Sequence, residues 1–257
     1  MISVSYIVPV CKWNGNSANG NDYKFRIENL KFIIDKFIVV QKYVSIELIF
    51  IEQSLDGNFY YDGFENRCSK FIRITGNIFN KSRLYNIAAK ESKENFLLFA
   101  EADMFSDDTI FINNLMDNCR NKKWVIGWDK MRYTSRYERD MLLANISISK
   151  RSNIVNRGIG KGHEGGIVFF NKSFFDEIGG YNESLEELGG IDNEISVRAN
   201  FLSKEYYRCP GFIYHMWHPI TKNNAKPLAS RIKNSKILKE IKNNPMKYIS
   251  TKGIKNK

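Results

Sequence analysis

Cysteine is scarce and dispersed in this chain. Its four cysteines, Cys11, Cys68, Cys119 and Cys209, form no CxxC pair. That excludes a zinc knuckle and a dense disulfide frame, so the expectation is reduced core thiols in a reducing compartment such as the cytosol. Long apolar runs are missing as well. No stretch approaches the ~18 residues a membrane span needs, and the opening MISVSYIVPV has neither the basic start nor the long apolar stretch of a secretory leader. A soluble protein, or one attached only at a surface, is expected. The C-terminal segment lacks acid: from Lys222 onward eleven bases face only Glu240. Nearly all of the net charge of +11 therefore sits there, and the rest of the chain is close to neutral.

What is present is enough for a globular core. With 257 residues, 43% of them hydrophobic and 14% aromatic, one domain or one and a half is expected. SVSYIVPV reads as a buried strand stopping at Pro9, followed by the polar loop CKWNGNSANGND. DYKFRIENLKFIIDKFIVV places Phe25, Leu30, Ile33, Ile34 and Phe37 at helical spacing, with Asp22 as N-cap. Strands VSIELIFIEQS and KFIRIT, helix KSRLYNIAAKES and strand NFLLFA follow. A helix near 107–121 and strand WVIGW precede a polar, irregular stretch. Strand GGIVFF, helices near 172–178 and 192–201, and EYYRCPGFIYHMWH complete the pattern. This rhythm predicts an α/β fold with helices on both faces of the sheet and ligands at the carboxyl ends of its strands.

Three clusters carry candidate chemistry. Glu101 and Asp103 end the strand NFLLFA at i and i+2, which in an extended backbone points both carboxylates the same way. Oxygen ligands at a strand end suit Mg²⁺ or Mn²⁺; the bare acid-x-acid pattern is a weak signal by itself, and its alternative is a helix N-cap feeding SDDTIF. His215 and His218 in HMWH offer two imidazoles, which with a carboxylate fit Mn²⁺, Zn²⁺ or Fe²⁺. A two-histidine metallohydrolase is a possible reading, although its HExxH helix is missing. Asp192 and Glu194 follow the glycine pair of LGGIDNEISVRANF and open a helix, where an acid serves as a cap or as a general base.

In this order, FRIENLKFII, FIEQSLDGNF, FNKSRLYNIAAKES, FLLFAEADM, the long segment from GGIVFF to DNEISVRA, and HMWH resemble a glycosyltransferase of the GT-A fold. The likeness is nearest to the β-1,4-galactosyltransferases, with features of the polypeptide N-acetylgalactosaminyltransferases and of bacterial chondroitin-type polymerases. It spans about Val4 to His218. It implies a Rossmann-like, mixed but mostly parallel sheet flanked by helices, over residues 1–221. The remaining 222–257 form a basic tail, partly helical or disordered.

The resemblance further implies a UDP-sugar donor held through its diphosphate by Mn²⁺ (or Mg²⁺). A galactose- or GalNAc-type sugar would pass to a glycan hydroxyl in bacterial surface polysaccharide or glycan synthesis. Asp103, His218 and, at the weaker position, His215 match metal ligands, while Glu101 replaces the first acid of Asp-x-Asp. Phe79 and Lys81 match positions that meet the nucleotide. Pro9, Arg26, Glu52 and Gly166 fall at further donor-pocket positions. Asp192 matches the catalytic acid of inverting enzymes, whereas Glu194 matches the acid of retaining ones. The family's Trp-Gly-Gly-Glu-Asp becomes Leu188-Gly-Gly-Ile191-Asp192, which removes two groups that border the acceptor. LASRIKNSKILKEI sets Leu228, Ile232, Ile237, Leu238 and Ile241 roughly on one side of a helix with lysines elsewhere. That predicts docking at the inner face of an anionic membrane, where a lipid-linked acceptor waits. Nucleic acid is not an expected partner, because the basic segment holds only one aromatic residue, Tyr248.

Overall fold

The computed structural model describes residues 3–12, 22–40, 45–106, 115, 117–148, 154–156, 165–187, 189–205, 207–219 and 225–249. The alternation read from the sequence becomes β1 (Ser3–Cys11), α1 (Asp22–Val40), β2 (Ser45–Ser54), β3 (Lys70–Thr75), α2 (Lys81–Glu91) and β4 (Phe96–Ala100). These four strands lie parallel in the order β3-β2-β1-β4. β1 runs two residues past Pro9, which is buried opposite Ile51. From Val4 to Cys11 the strand is buried on both faces, as expected of a parallel sheet covered by helices. On α1, Leu30, Phe32, Ile33 and Ile34 are buried while Lys31 and Asp35 face solvent. The side chain of Asp22, and with it the expected N-cap, lies outside the described residues.

The sheet continues through β9 (Ile167–Asn171), antiparallel to β4, and β6 (Trp124–Ile126), antiparallel to β9. Of the helix expected near 107–121, residues 117–121 are described and are helical. The stretch read as irregular contains β7 (Lys130–Tyr133), the short strand β8 (Ile154–Asn156) and α3 (Arg136–Leu143), whose Ser135 and Glu138 close a capping box. β7 belongs to a second sheet of order β5-β10-β7-β8, with β5 at Met104–Phe105 and β10 at Phe212–His215. Helices α4 (Lys172–Glu177) and α5 (Ile191–Ser203) follow the expected positions.

Residues 225–249 of the basic segment fold onto the domain. They form α6 (Ala225–Asn243) and α7 (Met246–Ile249), which pack with α5. Ile241 is fully buried and Ile237 packs half-buried on the core, whereas Ile232 faces outward. The apolar residues expected on one side of this helix are thus divided between two sides; the side chain of Leu228 is outside the described set. No described helix is long and apolar enough to cross a membrane. All four cysteines are free, three of them buried and Cys68 half-buried.

Candidate active site at the carboxyl end of the sheet

β4 ends at Ala100, and a turn closed by Met104 N–H donating to the Glu101 carbonyl (3.2 Å) leads into β5. That turn breaks the extended geometry, so Glu101 and Asp103 do not share partners as alternation suggested: each carboxylate serves a different corner of the site.

Asp103 builds the first corner. β5 pairs antiparallel with β10 so that Met104 lies opposite His215, and Met216 N–H donates to the Asp103 carbonyl at 2.8 Å. The HMWH turn is fixed from two further sides. Thr134, after β7, accepts from Trp217 N–H at 2.8 Å, and Asn29 of α1 donates to the Trp217 carbonyl at 3.2 Å. One ligand atom each from Asp103, His215 and His218 then lies within 4.8 Å of the others. His218 Nε2 stands 3.3 Å from Asp103 Oδ2. Arg26 of α1 donates to the same oxygen at 3.1 Å and approaches the His218 ring nitrogens at 3.3 and 3.4 Å. Burial pushes the Asp103 carboxyl up, but His215, the His218 hydrogen bond and Arg26 together outweigh it and hold the group below the usual carboxylate range. Its second oxygen, Oδ1, is buried with no hydrogen-bond partner among the described residues. An ionised acid with a free buried oxygen beside two imidazoles fits a divalent transition-metal ion and leaves coordination positions for a substrate.

Lys81, Glu101 and Asp192 build the second corner. Asn80 caps α2 by accepting from Arg83 N–H, which makes Lys81 the first residue of that helix. Its ammonium donates to Glu101 Oε1 at 2.9 Å and lies 3.2 and 3.4 Å from the two Asp192 oxygens. Burial works against the ammonium, yet Asp192 and Glu101 overcome it and keep Lys81 charged. Burial raises Asp192; Lys81 pulls it back, Glu101 pushes it further, and the net shift is upward. Asp192 keeps 24% of its side chain exposed. Gly165 makes this arrangement possible, because a Cβ there would stand 2.5 Å from Asp192 Oδ2. Trp128 Nε1 donates to the Gly165 carbonyl at 2.8 Å and fixes that approach.

Glu194, the neighbouring acid, has a different role. It is fully buried and paired with Arg198, Nε to Oε1 at 2.5 Å and Nη2 to Oε2 at 2.8 Å. Arg198 also donates to the carbonyls of Ile178 and Gly180, so this pair ties α5 to the turn after α4.

The other sequence-selected positions form the frame. Gly166 has φ +101°; its carbonyl accepts from Glu101 N–H at 3.0 Å, and a Cβ there would meet Met104 Sδ at 2.5 Å. Glu52 is fully buried and accepts from the Tyr60 and Tyr61 amides (2.6 and 3.3 Å) and from Arg73 (3.4 Å), so its carboxylate fastens a loop. Phe79 is half-buried, and its carbonyl accepts from Glu187 N–H at 2.8 Å. The partner of Glu52 in the Glu-Gln pair was missed by sequence reasoning: Gln53 donates to the Ile78 carbonyl (2.8 Å) and accepts from Asn80 N–H (3.0 Å), shaping the loop that delivers Lys81.

No family model matches the chain. Over 84 residues it is 37% identical to the Caenorhabditis elegans protein named Probable N-acetylgalactosaminyltransferase 9, a match covering 30% of this chain and only 14% of that protein's length. Two solved structures share its architecture. A mutant Drosophila β1,4-galactosyltransferase 7 in complex with manganese, UDP-Gal and xylobiose aligns at a TM-score of 0.51 and 12% identity, over 90% of this chain and 80% of that one. A mycobacterial protein aligns at 0.54 and 13% identity, over 85% and 69%. With its mixed, mostly parallel sheet flanked by helices, the chain has the GT-A glycosyltransferase fold.

Proposed function

We propose that the protein is a metal-dependent glycosyltransferase that moves a hexose or N-acetylhexosamine, of galactose or GalNAc type, from a UDP-sugar to a glycan hydroxyl with inversion. One observation carries the reading: a metal-ligand trio, Asp103, His215 and His218, and a separate, partly exposed acid, Asp192, flank one strand end. The complex of the Drosophila enzyme with manganese and UDP-Gal supports this choice of ion and donor.

Asp103, His215 and His218 would hold Mn²⁺ or Mg²⁺. When bound, the ion offsets the charge that develops on a departing diphosphate. Asp192 accepts the proton of the acceptor hydroxyl as its oxygen bonds to the sugar carbon; the carbon–oxygen bond to the diphosphate breaks on the opposite face, and UDP leaves. The raised affinity of Asp192 for a proton suits it to this transfer. Lys81 orients the carboxylate and adds a second positive charge at the site. Glu194 is the acid that a retaining enzyme would match. Its two oxygens are held by Arg198, which favours Asp192 and inversion.

We further place this activity in bacterial surface polysaccharide or glycan synthesis, at the inner face of the membrane, with a lipid-linked acceptor. The basic C-terminal segment supports that placement.

A thermal-shift titration with UDP, Mn²⁺ and both together tests the site: the pair is expected to stabilise more than the sum of either alone. Release of UDP from a panel of sugar nucleotides then identifies the donor without knowledge of the acceptor. NMR of the product anomer decides the stereochemistry, and an α-linked product from an α-linked donor would refute inversion.

A further inference from the structure

Helix α6 presents two functional faces. Its inner face grips the loop before the acid. Asn234 is buried, and its Nδ2 donates to the carbonyls of Glu186 and Gly189, both at 2.9 Å. Lys233 adds an ion pair to the Glu186 carboxylate at 2.6 Å. The gripped loop runs into Gly189 and Gly190, at φ +93° and +84°, and Asp192 is the second residue of the helix that follows. Ile241 and Ile237 seat the rest of α6 on the domain.

The outer face carries a different chemistry. Arg231, Ile232, Ser235, Lys236 and Lys239 line an open depression containing no acid. The three bases are exposed, and Ile232 stands 50% exposed among them. Glu240, the acid next in sequence, is engaged by the Tyr248 hydroxyl at 2.8 Å. An exposed isoleucine ringed by bases matches a surface with anionic headgroups over an apolar interior. A single-stranded nucleic acid would call for aromatic platforms, and none lines this depression.

We propose that this face of α6 docks the protein on an anionic lipid bilayer while α6 stays folded on the domain, and that the Asn234 grip thereby holds the Asp192 loop beside the membrane surface, where a membrane-held acceptor reaches it. The docking surface stands on its own geometry; its consequence for the acceptor rests on the reading of Asp192 as the base.

The full-length chain is co-sedimented with phosphatidylcholine vesicles, with and without phosphatidylglycerol. Binding only to the anionic vesicles, weakening as salt rises, is expected. The variant Ile232→Ser/Lys236→Glu/Lys239→Glu alters exposed side chains only. It is expected to lose vesicle binding at least tenfold while keeping the thermal shift with UDP and Mn²⁺ and the release of UDP from donor. Asn234→Ala is expected to bind vesicles normally but to lose severalfold in kcat for donor hydrolysis with KM unchanged, and Asn234→Asp, which keeps the side-chain length, is expected to recover less than the wild-type rate. Equal binding to neutral vesicles, undiminished binding by the triple variant, or displacement of the vesicles by a short oligonucleotide would overturn the docking proposal. An Asn234→Ala enzyme with wild-type kcat would overturn the grip. Vesicle binding without any response to UDP and Mn²⁺ would leave the docking surface standing and remove the enzymatic reading instead.

Discussion

Asp192 and Asp103 lie at one strand end but hold their protons differently. Asp103 is kept ionised by His215, His218 and Arg26, whereas Asp192 is raised by burial against the pull of Lys81. Their substitutions separate accordingly. Asp192→Asn is expected to keep the joint stabilisation by UDP and Mn²⁺ and to lose turnover about 100-fold or more, while Asp103→Ala loses the joint stabilisation itself. Near-normal turnover in Asp192→Asn would remove the base assignment. A base must be deprotonated to act, so turnover is expected to fall as pH drops through the Asp192 pKa, above the ordinary aspartate range. Lys81→Met removes the charge that pulls this pKa down, so the acidic limb of the kcat profile should move to higher pH. A limb that stays in place would show that Lys81 does not govern the acid.

At the scale of elements, α5 divides its two acids between chemistry and structure. Glu194→Ala leaves the buried guanidinium of Arg198 without its carboxylate and is expected to cost about 3–5 kcal/mol in urea unfolding. The elements that position the site were unequally legible. The strongly periodic α1 and the apolar strands β1 to β4 could be read to within a residue or two, because both carry one dominant burial pattern. β7 could not: Lys130-Met-Arg-Tyr133 looks like a charged loop, since its Arg132 is buried through an ion pair with Glu138 that only the fold creates. The capping box of α3 is visible in the sequence as S-x-x-E at Ser135–Glu138, a short pattern that marks a helix start only once the apolar residues after it are buried. β5 is two residues long and has no pattern of its own, yet its register with β10 brings His215 to Asp103. The ligands were therefore readable as residue types, and their grouping was readable only through the family resemblance, because neither β5 nor β10 carries a pattern that states the register. Gly165 shows the same limit, because its need for a missing side chain is defined by Asp192, far along the chain.

For the molecule as a whole, the C-terminal helices are part of the folded body. Ile241→Ala is expected to destabilise the protein by about 2–5 kcal/mol, as deletion of a fully buried side chain does. A loose tail would give no measurable change in a denaturant titration. The site itself is stitched from distant parts of the chain: Arg26 meets His218 across 192 residues, and Lys81 meets Asp192 across 111. Contacts of such separation carry a large loop-closure cost and are expected to close after β1 to β4 have paired with their neighbours. Mn²⁺ is therefore expected to slow unfolding and to leave the refolding rate nearly unchanged in stopped-flow experiments. Acceleration of refolding would place the site in the folding nucleus. On the ribosome the same geometry sets an order of events: a nascent chain has no complete ligand trio until His218 has emerged, so the three ligand atoms can meet only after every strand of both sheets has been made.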